Sequence, residues 1–312
     1  MSFNYLQPGK PAVFKDRFTT KVTECIKPYE SGDRGAVGIL GLPASKSSIS
    51  MSMAAEAPQA IRKALGSYST FSATKNHDFK DDVLIDFGDV SVHPTDVEAT
   101  LDRLHVSVGE MLETEACERY IMLGGDHGVS FPSIHAFQKK FGRVGILQWD
   151  AHHDVRNLDD GGRTNGTPFR SLIEGGVIRG EDLVQIGIRD YSNAAAYDDY
   201  CEEKGIHVYT MDDLDQQGIL QVVEKELQRL ADQVDVIYLS VDMDAVDQAF
   251  APGCPAIGPG GFTSRELLSS VRAAAMHEKV KAMDIVEIDP SKDVRAITSR
   301  LAAHVMLRFM YK

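Results

Sequence analysis

Leu147-Gln148-Trp149-Asp150-Ala151-His152-His153-Asp154 joins an apolar run at 144–147 to a cluster of metal-binding residue types. The run reads as a buried strand, and beyond its end Asp150, His152 and Asp154 follow at a spacing of two. In an extended chain, side chains at i, i+2 and i+4 point to the same side, so two carboxylates and an imidazole converge. Packed without a counter-charge they would repel one another and be costly to desolvate; a bound cation removes that cost. Taken alone, such a segment is more often a solvated acidic turn with a chance histidine. Two further segments decide against that.

Outward from this stretch, short apolar runs alternate with helical patterns. Runs at 36–41, 83–87 and 120–123 precede the central strand, and runs at 183–188, 206–209, 234–241 and 282–288 follow it. Pro58 opens a helix through Ala60, Ile61 and Leu65, as proline can in a first turn. Leu101, Leu104, Val108 and Leu112 recur at spacings of three and four. Helices are also expected up to about Lys140, from Thr167-Pro168-Phe169 onward, and over 194–204, 264–278 and 296–309. Eight strands alternating with helices predict an α/β protein with a mainly parallel sheet covered on both faces. An open sheet of this kind binds ligands at the carboxyl ends of its strands. A closed (β/α)8 barrel has the same one-dimensional pattern.

The chain has 312 residues, 43% of them hydrophobic, enough for a sizeable core. Residues 1–35, with Pro8, Pro11 and Pro28 among mixed polar residues, read as an N-terminal arm, and 36–312 as a single catalytic domain. Net charge is -13 and the Lys and Arg residues are scattered, which disfavours nucleic-acid binding. No window approaches the roughly 18 apolar residues that a membrane span needs. Cys25, Cys117, Cys201 and Cys254 lie far apart with no secretory leader ahead of them, which places the chain in a reducing cytoplasm.

Three polar clusters end three expected strands: Asp126-His127, then Asp150/His152/Asp154, then Asp242/Asp244. One end of a parallel sheet collects such termini. His127, Asp150, His152, Asp154, Asp242 and Asp244 are then six candidate ligands, too many for one catalytic zinc. Two ions fit better, because bridging carboxylates hold a pair about 3.5–4 Å apart and share one water. Oxygen-rich ligation without thiolate favours a hard or borderline ion such as Mn(II).

Gly-Gly-Asp-His at 124–127, Asp-Ala-His-His-Asp at 150–154 and Ser-Val-Asp-Met-Asp at 240–244 resemble the three signature segments of the ureohydrolases, the arginase and agmatinase superfamily. The likeness runs over about 36–312. Within the superfamily the segments at 165–170, 249–255 and 284–290 look most like the formimidoylglutamase branch, which acts on N-formimino-L-glutamate in histidine degradation. The resemblance implies an arginase-like three-layer αβα sandwich with an eight-stranded sheet, two Mn(II) per subunit, and a homo-oligomer, trimer or hexamer. It places His127, Asp150, Asp154 and Asp242 on one ion and Asp150, His152, Asp242 and Asp244 on the other. Glu287 falls on the glutamate that holds the substrate's planar cationic head, as a carboxylate can through two parallel hydrogen bonds. Asp244 is the candidate proton carrier.

Asn165 stands where arginases and many agmatinases have a histidine credited with proton shuttling; asparagine cannot titrate, so the leaving amine must find its proton elsewhere. Asn165 and Arg170 are the remaining candidate substrate ligands, Arg170 as a bidentate clamp for a substrate carboxylate. The rival expectation is a guanidino hydrolase releasing urea. His153 should point away from the ligands, and Asp126 should orient His127.

Overall fold

A computed structural model of the chain describes residues 16–311. In chain order the strands are β1 (Ile26–Pro28), β2 (Gly35–Gly41), β3 (Phe71–Ser72), β4 (His77–Asp78), β5 (Leu84–Asp89), β6 (Cys117–Leu123), β7 (Val144–Trp149), β8 (Leu183–Ile188), β9 (His207–Thr210), β10 (Val236–Asp242) and β11 (Val280–Val286). The helices are α1 (Ala57–Leu65), α2 (Val97–Glu113), α3 (Ser130–Phe141), α4 (Pro168–Glu174), α5 (Ala195–Lys204), α6 (Met211–Gln217), α7 (Ile219–Ala231), α8 (Ser264–Ala275) and α9 (Ile297–Met310). Strands β3 and β4 form a separate antiparallel hairpin. The other nine make one sheet in the order β1-β5-β2-β6-β11-β10-β7-β8-β9, parallel throughout.

Alternation along the strands divides the core in two. Leu147 and Trp149 of β7, Leu239 and Val241 of β10, and Met283 and Ile285 of β11 face a layer of α1, α6, α7, α8 and α9. Val144 and Ile146, Tyr238, and Ala282 face a layer of α2, α3, α4 and α5. The inner strands are buried on both faces, which is why they read as continuous apolar runs. The sheet is open, ending at β1 and β9, so the αβα sandwich holds and the barrel does not.

Two features differ from the sequence expectation. The sheet has a ninth strand, β1, taken from the segment read as an arm: Ile26 registers against Leu84 at the sheet edge, where proline is tolerated because one side needs no ladder donor. Residues 1–15 of that arm, and Lys312, lie outside the described residues. Helices α6 and α7 fill a stretch between the expected helices at 194–204 and 264–278. α6 starts at a reciprocal cap, Thr210 with Asp213, and α7 buries Val222, Val223, Leu227 and Leu230.

Candidate metal centre

Four neighbouring strands deliver the site. His127 follows β6 on a 3-10 turn, Glu287 follows β11, Asp242 ends β10 with Asp244 on the next turn, and Asp150, His152 and Asp154 follow β7. β6 and β7 are consecutive in the chain, yet β11 and β10 lie between them. The ligands therefore gather where the strand order reverses, the crevice in which open α/β sheets bind ligands. Gly125 allows the approach: a Cβ there would run into the Ala44 carbonyl.

All six candidates meet. His127 Nδ1 lies 3.0 Å from Asp150 Oδ2, 2.9 Å from Asp154 Oδ2 and 3.1 Å from Asp242 Oδ2. His152 Nδ1 lies 3.1 Å from Asp244 Oδ2 and 3.5 Å from Asp150 Oδ1. Two ligand groups result, His127/Asp150/Asp154 and Asp150/His152/Asp244, with Asp150 in both. The convergence does not come from an extended strand. The chain bends at Ala151 and His152, and Asp154 is left-handed at φ 51°. Glu287 is also left-handed, at φ 59°. Such backbone in non-glycine residues is strained, and surrounding structure must hold it.

The electrostatics call for a cation. Burial, with the charges of Asp244 and Asp150, pushes the Asp242 carboxyl well above its usual range, and burial with Asp150 pushes Asp154 up to about 6. Asp244 drives His152 up to about 12. Burial works against charge on His127, but Asp150, Asp154 and Asp242 raise it well above an ordinary histidine. Yet its buried Nδ1 makes no directed hydrogen bond, although three carboxylate oxygens surround it. A nitrogen lone pair and several oxygen donors facing one point without bonding each other fit a divalent ion, with Asp150 able to bridge two.

Residues behind the ligands fix their directions. His127 Nε2 lies 2.9 Å from Ser240 Oγ, which donates to Asp284 Oδ1 at 2.8 Å; Ser130 and Tyr238 donate to Asp284 Oδ2. With Nε2–H donating to Ser240, Nδ1 is left bare for metal. Gln148 Nε2 donates to Asp150 Oδ2 at 2.6 Å, and Gln185 Nε2 to Gln148 Oε1 at 2.9 Å. The spacing of the ligands alone reveals neither chain of contacts. The signal was present: Ser240, Asp284, Gln148 and Gln185 are polar residues inside apolar strands, where burial demands a partner. His153 does point away, 2.7 Å from Gln185 Oε1, and Asp126 caps the turn bearing His127 through Gly128 N.

A pocket of about 360 Å³ opens over the centre. Glu287 lines it, and its side-chain hydrogen bonds among the described residues both fall on Oε1, from His127 N at 2.8 Å and Asn165 Nδ2 at 2.9 Å. Burial, then the charge of Asp126, pushes its carboxyl up to about 8, so a cation brought alongside would favour ionisation. Asn165 Oδ1 accepts from Ile49 N at 2.9 Å, so this residue both steadies Glu287 and pins the pocket's edge.

Arg170 does not reach the pocket. Its Nε pairs with Glu174 at 2.7 Å, one helical turn on, and its guanidinium lies over the Tyr200 ring. The arginine on the pocket wall is Arg156, exposed and 5.7 Å from the Tyr197 ring centroid. Gly166 makes room for it: a Cβ there would sit 2.6 Å from Arg156 Cδ.

Comparison with known proteins agrees with this geometry. The Arginase family model matches residues 35–311. The chain belongs to the arginase family. This arginase-family chain is 49% identical over 299 residues to formimidoylglutamase of Halalkalibacterium halodurans, covering 96% of this chain and 94% of that one. It is 42% identical to formimidoylglutamase of Bacillus subtilis, over 94% of this chain and 92% of that one. The crystal structure of the formimidoylglutamase from Bacillus subtilis subsp. subtilis str. 168 superposes with a TM-score of 0.94 at 40% identity, covering 98% of this chain and 95% of that one.

Proposed function

We propose that this chain hydrolyses N-formimino-L-glutamate to L-glutamate and formamide at two Mn(II) ions held by His127, Asp150, His152, Asp154, Asp242 and Asp244. The carrying observation is one pocket that presents a carboxylate at its base, Glu287, and a guanidinium on its wall, Arg156. A substrate with an amidine head and a carboxylate tail matches both charges. Agmatine would set a second cation against Arg156. The near full-length identity to formimidoylglutamases supports the same choice.

When bound, the two ions supply a water acidified toward neutral pH. Glu287 Oε2, free of the bonds that hold Oε1, would take the amidinium and turn its carbon toward the cluster of candidate ligands. Water adds to the formimino carbon and the bond from that carbon to the glutamate nitrogen breaks. The nitrogen takes a proton, releasing glutamate, and the other fragment leaves as formamide. Asp244 is the residue to accept and hand on the proton, as Asn165 has none to give. The donor set, oxygens and imidazole without thiolate, is the ground for Mn(II).

We place residues 36–312 in one catalytic unit that works as a homo-oligomer in the cytoplasm; the four cysteines are free, and no described helix is long and apolar enough to cross a membrane. Light scattering on the purified chain measures the assembly. For the activity, the Mn(II)-loaded protein is given formiminoglutamate, agmatine, arginine and guanidino acids, and glutamate plus formamide is scored against urea. Turnover of formiminoglutamate that is lost with chelator is expected. Urea from a guanidino compound, with formiminoglutamate inert, overturns the substrate assignment and leaves the metal centre standing.

A further inference from the structure

On the sheet face opposite α2, α3, α4 and α5, α8 and α9 carry a cluster of basic side chains. Arg272 of α8 and His304 and Arg308 of α9 line two adjoining cavities, of about 280 and 580 Å³. The hairpin β3–β4 closes the smaller one with Ser72 and Lys75, and Tyr311 completes its wall. The larger has an apolar floor that includes Leu220, Leu268 and Met276.

No described residue forms an ion pair or hydrogen bond with the side chains of Arg272, Arg308 or Lys75; the Lys75 backbone N donates to Ser72 Oγ at 3.4 Å, and residues 1–15 contain no Asp or Glu. Arg308 Nε and the Tyr311 hydroxyl are buried without hydrogen-bond partners among the described residues. The acids near Tyr311, Asp78 and Asp82, line neither cavity. Burial and the neighbouring Arg272 charge both work against Arg308's own charge, and burial and Arg308 do the same to His304. Among the described residues no acid lines the groove, so the like charges crowded there are an uncompensated cost. An anion seated between them removes it.

We propose that this groove is an anion site for a phosphate group, held by Arg272, Arg308 and His304. Two guanidinium forks match the oxygens of a phosphate better than a single carboxylate. The Ser72 and Tyr311 hydroxyls and Lys75 surround the remaining oxygens. Inorganic phosphate would fill the smaller cavity alone. A phosphate monoester would lay its organic part on Leu220, Leu268 and Met276.

The test is calorimetric titration of the metal-loaded full chain with inorganic phosphate and with phenyl phosphate, at low chloride. One saturable site is expected. Arg272→Gln and Arg308→Gln should each weaken it about tenfold or more, the worth of one charge-assisted contact, and the double variant should abolish it. Arg179→Gln, exposed and lining neither cavity, should bind like the wild type. Asp150→Asn should bind phosphate undiminished, because the groove is separate from the metal centre. Tighter binding of phenyl phosphate assigns the apolar floor to a monoester, and equal binding assigns the site to free phosphate. Failure to saturate by about 10 mM, or binding that survives the double variant, overturns the proposal. Loss of assembly by light scattering in the double variant, with wild type blind to phosphate, also overturns it and makes the groove a face for a second copy. His304→Asn provides the same reading should Arg308→Gln not fold.

Discussion

Replacing Arg156 by methionine removes the guanidinium while keeping the stem that packs over Gly166. A charge-assisted hydrogen bond to a carboxylate is worth about 1.5–3 kcal/mol. Arg156 is exposed, so solvent screening holds the loss near the lower end, about 1.5–2 kcal/mol, or roughly 10–30-fold in kcat/KM. The contact lies at the substrate's tail, away from the bond that breaks. The loss should therefore fall on KM, with kcat changed less than about threefold. The paired experiment is Arg170→Met. That arginine is occupied by Glu174 and Tyr200, a surface helix pair worth about 0.3–0.5 kcal/mol, and its removal should leave KM unchanged. Steady-state release of glutamate from formiminoglutamate measures both variants. A KM that rises in Arg170→Met and not in Arg156→Met would refute the reasoning.

Asp150 belongs to both ligand groups, so Asp150→Asn should lose both ions. In the wild type, Mn(II) at a hundredfold excess over Kd stabilises by about 2.7 kcal/mol per site, a rise of roughly 5–10 °C in Tm by scanning calorimetry that the variant should not show. Asp284→Asn leaves the ligands in place but loosens the Ser240–His127 chain, and should weaken metal affinity about 10–100-fold by competition with a chelating dye. Unaltered affinity would reduce Asp284 to packing. Glu226 tests acid stability. Burial pushes its carboxyl up, yet hydrogen bonds from Tyr209 and Arg229, both 2.6 Å, bring it below its usual value. A group depressed on folding adds stability above its unfolded pKa, about 4.5, and loses it as pH falls through the folded value. Glu226→Gln should cost about 1–3 kcal/mol at pH 7 and progressively less on acidification, read from urea melts.

The convergence of the six candidate ligands was legible because a parallel sheet collects strand ends, so position along the chain predicts nearness in space. Side-chain direction was less legible. Arg170 looked close because α4 begins near the site, but its place on the helix turns it toward Glu174. Arg156 reaches the pocket because the chain turns at Asp154, whose left-handed backbone no residue pattern announces. Strand β1 escaped notice for a different reason: three residues ending in proline carry too little alternation to stand out. Ser240 and Asp284 were visible as polar interruptions of apolar strands, and a question about what satisfies them would have led to His127.

The strand order has a consequence for how the protein is made. β6 pairs with β11 and β7 with β10, so two strands translated early wait for the last two to fill the gap between them. Contacts so distant in sequence form slowly, and an unpaired apolar edge invites association with other chains. A nascent polypeptide that ends before Val236 carries His127, Asp150, His152 and Asp154 but lacks Asp242, Asp244 and Glu287. On the ribosome, completion of the candidate ligand cluster and closure of the sheet become one late event, and until it happens the growing chain bears two bare edges, at β6 and β7, besides those at β1 and β9.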